Sequence, residues 1–355
     1  MDYTINSTKA YHTGRLNTLG WELTVCNALY PAQTPLREIL SRNDSFGHLL
    51  YDYLSNFMPM GNIKKVIEIG GGYGYLMKDF LDRDNSLQPC MVDISSFLLQ
   101  KQKETLSRYN VSYRDEDFLE TDPSILTGFD LAILNENLGD FPTLTNLNQV
   151  MFQSSAEMNY PAISSEVSKA RQKHVMNHPA VSCGATISKQ ASGYETRGAI
   201  TDPTLLTAFR LFEKYDFEWP EGEGFNLNIG AIQALERLCA SGIPYIYLGE
   251  HSCEAGVPEA LRSIVRIEST GNPEKISLMG HDEYSIRFSH LQQVAHTFNY
   301  TSIRGPFADF LSFDVTKELR FIMASHGRFS DEGEMICQFV EDLYKYEYLI
   351  LIKNI

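Results

Sequence analysis

Residues 66–76 read VIEIGGGYGYL, and no other stretch constrains the fold as tightly. A short apolar run carries an acidic residue near its end, four glycines follow at 70, 71, 72 and 74, and an apolar, helix-like stretch begins. A turn this tight between strand and helix needs positive φ angles and close backbone approach, which glycine supplies at little steric cost. Its backbone amides then face a ligand at the helix N-terminus. A phosphate-cradling loop requires GxxxxGK[ST], and no Lys-Ser or Lys-Thr follows Gly74. The dinucleotide fingerprint GxGxxG is met at Gly70 and Gly72 but has Tyr75 at its last position. A glycine there normally permits close helix–strand packing, so NAD and FAD are disfavoured. The remaining pattern is an acidic residue two places before GxGxG, and Glu68, Gly70, Gly72 and Gly74 meet it fully.

The rest of the chain supplies a frame for this turn. KKVIEIG and QPCMVDIS read as buried-type strands, as do VSYRDEDF and FDLAILNEN, with YLMKDFLDRD and SFLLQKQKETLSRY as helices between them. Strands alternating with helices at this spacing predict a parallel sheet covered on both faces, an α/β fold. PLREILSRNDSFGHLLYDYLSNF has helical periodicity, so 1–60 is expected to be an N-terminal helical cap. Residues 61–142 form the first half of the α/β domain. From 143 to 223 the rhythm is lost in a segment rich in Ser, Gly, Pro, Asn and Thr, expected to be an insertion lobe facing the substrate. The alternation resumes over 224–355 with IGAIQALERLCASG, IPYIYLGE, FSHLQQVAHTFN and the terminal YEYLILIKN.

The Glu68–Gly74 pattern resembles motif I of the class I S-adenosylmethionine-dependent methyltransferases. The loop then accommodates an amino-acid tail, and an acidic side chain helps to hold the cationic ammonium end. Asp93 follows 19 residues after Gly74 at the end of the second strand, where it can accept both ribose hydroxyls. The resemblance implies that Asp117 bonds the adenine amino group and that Phe118 covers the ring, although Asp115 and Glu116 lie beside them. It further implies a seven-stranded sheet of order 3-2-1-4-5-7-6 with the final strand antiparallel.

After the fourth strand, NENLGDFP (residues 135–142) resembles a narrower group, the MidA-like methyltransferases, with its pattern NExxDAxP. Asn135, Glu136 and Pro142 are kept, Gly139 stands where that group has Asp, and Asp140 lies beside it. Asn135 is expected beside the cofactor. Glu136, and after it Asp140, is expected to orient the acceptor and to manage its charge. The resemblance implies arginine on a partner protein as acceptor. A small-molecule acceptor and a non-catalytic assembly protein keeping the cofactor fold are the alternatives, with a nucleotide-binding oxidoreductase disfavoured by Tyr75.

Composition excludes other classes. A formal charge of −15 argues against a nucleic-acid partner and suits a cationic one. No run of 18 apolar residues marks a membrane span, and MDYTINSTKAYHTGRL lacks the apolar core of an export signal. Six scattered cysteines without a CxxC pair fit reduced thiols, and a cytoplasmic location is expected. His174 and His178 share the spacing of a helical metal site, but Pro179 ends any helix there and no acidic ligand is interleaved, so no metal is expected. Cys253, beside Glu250 and His251, is read as a small buried residue rather than a nucleophile.

Overall fold

The structure is a computed structural model that describes residues 3–14, 24–152, 202–220, 224–262, 265–278, 280–325 and 331–354. Strands β1 (Thr4–Asn6), β2 (Lys65–Ile69), β3 (Gln88–Asp93) and β4 (Ser112–Asp115) precede β5 (Leu131–Asn135) and β6 (Thr143–Leu147). They are followed by β7 (Phe225–Leu227), β8 (Tyr245–His251), β9 (Lys275–Ser277) and β10 (Asp282–Tyr284), and finally by β11 (Tyr300–Pro306) and β12 (Tyr346–Lys353).

Seven of these strands form one sheet in the order β4-β3-β2-β5-β8-β12-β11. Counted along the chain within that sheet, this is 3-2-1-4-5-7-6, as expected. β12 runs antiparallel to both of its neighbours, and the other pairs are parallel. Alternation of side chains along each strand divides the core into two layers. Ile67 and Ile69 of β2, Ala132 and Leu134 of β5, and Ile246 and Leu248 of β8 face one layer. Val66, Leu131, Ile133 and Tyr247 face the other.

Helices cover both layers. On the first, helix Ile229–Ser241 buries Ala231, Ile232, Leu235 and Leu238 at helical spacing and ends at Gly242 with φ +79°. Helix Phe288–Thr297 packs beside it. On the second, helix Phe46–Leu54 packs against helix Tyr75–Arg83, which buries Leu76, Met77, Phe80 and Leu81. Phe80 is fully buried, so its truncation to alanine removes roughly 3–5 kcal/mol of stability.

Within residues 1–60 the structure describes short helices at Lys9–Thr13, Val25–Ala28 and Pro35–Glu38, the longer helix Phe46–Leu54, and strand β1, which periodicity did not indicate. β1 pairs with β6, and β6 with β7, in a small antiparallel sheet. β6, a short 3-10 turn at Gln149–Met151 and helix Pro203–Tyr215 are the regular elements described within 143–223. Leu144, Leu147, Leu211 and Phe212 from them join the main core. Residues 153–201, including His174, His178 and Cys183, lie outside the described residues. The Tyr-rich end of helix Asp331–Lys345 packs inward through Leu343 and Tyr344.

Candidate active site

A cleft, open at its mouth, lies over the C-terminal ends of β2, β3, β4 and β5. The sheet order reverses between β2 and β5, and such switch points are where open α/β sheets bind ligands. Glu68, Gly70, Gly72, Asp93, Asp117, Phe118, Asn135, Glu136 and Asp140 all line it. Gly74 does not line it. With φ +80° it starts helix Tyr75–Arg83, and a Cβ there would stand 3.3 Å from the Gln102 backbone.

The glycine loop is shaped by its neighbours. Gly70 (φ +65°) donates its amide to Val92 O at 2.8 Å, tying the loop to β3. The Asn137 amide nitrogen bonds Ile69 O and occupies the space a Gly70 side chain would need. Gly72 (φ +52°) opens onto free space where a ligand backbone could approach. Tyr75, in the position that excluded a dinucleotide, lines the cleft and stacks on Tyr30 with ring centroids 3.6 Å apart.

Two buried carboxyls stand at the loop. Glu68 is 2% exposed, and its Oε2 has no partner within the protein. Burial, with Asp93 adding, pushes its pKa up to about 8. Asp93 accepts from the Ser95 amide at 2.9 Å and from Gln102 Nε2 at 2.7 Å. Burial raises its pKa to about 6 against these bonds. Gln102 also donates to Gly72 O at 3.1 Å and so bridges the loop to the end of β3. Pattern reading missed this residue, because a glutamine on a helix carries no motif.

At the end of β4 position narrows the three acids to two. Asp115 accepts from Ser96 and does not line the cleft, whereas Glu116 and Asp117 do. Asp117 Oδ2 pairs with Lys9 Nζ at 2.7 Å, so the N-terminal segment crosses the cleft at this point. Phe118 is buried beneath the Arg237 guanidinium.

Beyond β5, Asn135 Oδ1 accepts from Tyr247 at 3.2 Å. Glu136 has φ +54°, a left-handed conformation that costs a non-glycine residue roughly 1–2 kcal/mol. Its carboxylate accepts from the Val25 amide at 2.6 Å and the Cys26 amide at 3.0 Å, and from Asn135 Nδ2. Burial nevertheless raises its pKa to about 7. Asp140 Oδ1 meets His12 Nε2 at 3.0 Å, and its carbonyl accepts from Thr8. Glu250, behind Gly139, accepts from the Gly139 amide at 3.1 Å. Cys253 is buried with its thiol on Ile286 O, as a packing residue would be.

Two groups of side chains among the described residues have metal-ligand chemistry: His12 with Asp140 and His281, and His48 with Asp79 and Asp82. In the second, Lys78 already pairs with Asp82 at 2.6 Å.

Residues 51–175, which carry the loop, β3, β4 and β5, match the family described as "Putative S-adenosyl-L-methionine-dependent methyltransferase". Over that stretch, about a third of the chain, the sequence is similar to S-adenosylmethionine-dependent methyltransferases. No curated protein matches the sequence significantly. Among solved structures, an uncharacterized protein from Burkholderia thailandensis is 12% identical over 92% of this chain and 80% of its own, with a TM-score of 0.46. The plantazolicin methyltransferase in complex with SAH is 10% identical over 91% and 86%, with a TM-score of 0.40.

The residues present fit the cofactor of that family, S-adenosylmethionine. Glu68 offers a buried, unpartnered oxygen to an ammonium group, and the Gly72 backbone leaves room for the tail beside it. When bound, the cofactor supplies an electrophilic methyl group on a sulfonium. The chain's own task is to orient the acceptor in line with it and to exclude water.

Proposed function

We propose that the methyltransferase acts on the guanidinium of an arginine presented by a partner protein, delivered at the Asn135–Asp140 end of the cleft. The observation that supports this reading is charge. Glu68, Asp93, Glu116, Asp117, Glu136 and Asp140 line the cleft against Lys9 and His12, and Lys9 is already paired with Asp117 and Glu120. Part of that acidity suits the cationic cofactor itself. In this reading Glu68 and the Gly70–Gly72 backbone receive the amino-acid tail, Asp93 the ribose, and Asp117 with Phe118 the adenine. Of the remaining carboxyls, Glu136 then serves the acceptor. A guanidinium is always charged in solution and needs a carboxylate to orient it. Glu136 is held in place by the Val25 and Cys26 amides and by Asn135, and retains acceptor capacity on Oε1 for this. The insertion is proposed to help select the acceptor. No described helix is long and apolar enough to cross a membrane, and a cytoplasmic location is part of the proposal.

The test incubates the protein with methyl-labelled cofactor and a cell extract split into protein and metabolite fractions, beside Glu136→Gln. Label on arginine of a protein, lost in the variant, is the expected result. Label confined to small molecules, or none in either fraction, overturns the arginine reading.

A further inference from the structure

At the mouth of the cleft three distant segments converge. His12 comes from the short N-terminal helix, Asp140 from the turn after β5, and His281 with Glu283 from the β9–β10 hairpin. His12 Nε2 lies 3.0 Å from Asp140 Oδ1, and His281 Nε2 lies 3.7 Å from the same oxygen and 2.8 Å from Glu283 Oε1. We propose that His12, Asp140 and His281 bind one divalent cation of the zinc type, with Glu283 beside the His281 ring, and that the ion clasps the N-terminal segment and the hairpin to the loop after β5.

The spacing suits such an ion. Metal–nitrogen and metal–oxygen bonds of about 2.0–2.1 Å in a tetrahedron separate neighbouring ligand atoms by roughly 3.3 Å. The His12–Asp140 and His281–Asp140 contacts, at 3.0 and 3.7 Å, fall on either side of that value, and the three ligand atoms all lie within 4.8 Å of one another. Two imidazoles and one carboxylate, with water in the open position, are a donor set that zinc accepts.

Charge points the same way. Among the described residues, the ion-pair partners of Asp140 and Glu283 are imidazoles, with no lysine or arginine. The His281 side chain is 4% exposed and that of Glu283 21%. A doubly charged cation offsets several crowded carboxylates at once, which a neutral imidazole cannot do. Tyr11 stacks on His281 with ring centroids 4.2 Å apart, fixing the ring beside the segment that carries His12.

The site uses Asp140 as a ligand and leaves Glu136 to face the acceptor, so it stands apart from the choice of acceptor. Its test needs neither cofactor nor turnover. Chelator-stripped full-length protein is titrated with zinc chloride against a chromophoric chelator, and the cobalt form is examined by visible absorption. One ion per chain is expected, with the intense d–d bands of a tetrahedral site. His12→Ala and His281→Ala, each checked for folding by circular dichroism, should weaken binding roughly tenfold or more, since even outer-shell losses cost about that much. Failure of the wild-type protein to take up stoichiometric zinc would overturn the site. So would zinc uptake unchanged in both variants, which would place the ion elsewhere in the chain.

Discussion

Glu136, at the end of β5, holds the amides of Val25 and Cys26 at 2.6 and 3.0 Å across more than a hundred residues of sequence. The residue expected to face the acceptor is therefore also the anchor of the short helix Val25–Ala28. Cys26 and Asn27 of that helix line the cleft. Glu136→Ala should lower stability to denaturant by about 1–3 kcal/mol, the scale for leaving such donors without a charged acceptor. It should weaken cofactor binding as well. A variant that loses turnover with stability and cofactor affinity intact would show that the amide bonds contribute nothing.

The second prediction concerns pH. Burial lifts Glu68 from an ordinary 4.5 to about 8. A carboxyl whose pKa is raised by folding contributes stability below its unfolded value, and that contribution is lost as pH rises through the folded value. The ligand-free protein should therefore lose stability between about pH 5 and 8 from this group, with Asp93 acting in the same direction up to about 6. A bound ammonium favours the ionised form. Cofactor affinity should accordingly rise over the same range, and binding near pH 7 should release a proton. Calorimetry in buffers of different ionisation enthalpy measures that release. Glu68→Gln should abolish it, and an affinity independent of pH would contradict this account.

Gly72 and Asp93 can be separated from general folding effects. A Cβ on Gly72 meets nothing within 4 Å but projects at φ +52°, so Gly72→Val should obstruct the cleft with a stability cost of only roughly 1–2 kcal/mol from the left-handed backbone. Asp93→Ala should weaken cofactor binding by about 1–3 kcal/mol. Unchanged affinity in both folded variants would remove these residues from the site.

Gly139 stands where the MidA-like pattern has Asp, and packing accounts for it. A Cβ there would lie 2.9 Å from Tyr284 O, because β10 passes directly over the turn. Gly139→Asp should therefore destabilise the protein by roughly 1–3 kcal/mol, as overpacking does, instead of restoring a family feature. Thermal unfolding of the variant reads the outcome, and an unchanged melting temperature would refute the packing account.

The sheet was legible because its signals are local. VIEIGGGYGYL fixes a strand, a turn and a helix within eleven residues, and alternation carries β3, β5, β8 and β12. The cleft floor was legible for the same reason, since Glu68, Gly70, Gly72 and Asp93 are placed by strand ends. What sequence did not reveal depends on contacts across the chain. β1 and β10 are three residues each and bring Thr8 and His12 to the cleft, and His281 to Asp140, only through pairing and packing. The bonds of Gln102 to Asp93 and of Glu136 to Val25 exist only once helices dock.

The most direct measurement is a calorimetric titration of the purified chain with S-adenosylmethionine, S-adenosylhomocysteine and NAD, repeated on Asp93→Ala. The account predicts one S-adenosylmethionine or S-adenosylhomocysteine bound per chain, weaker binding in the variant, and no comparable affinity for NAD. Tighter binding of NAD, or no binding of either sulfur ligand by folded protein, would contradict it.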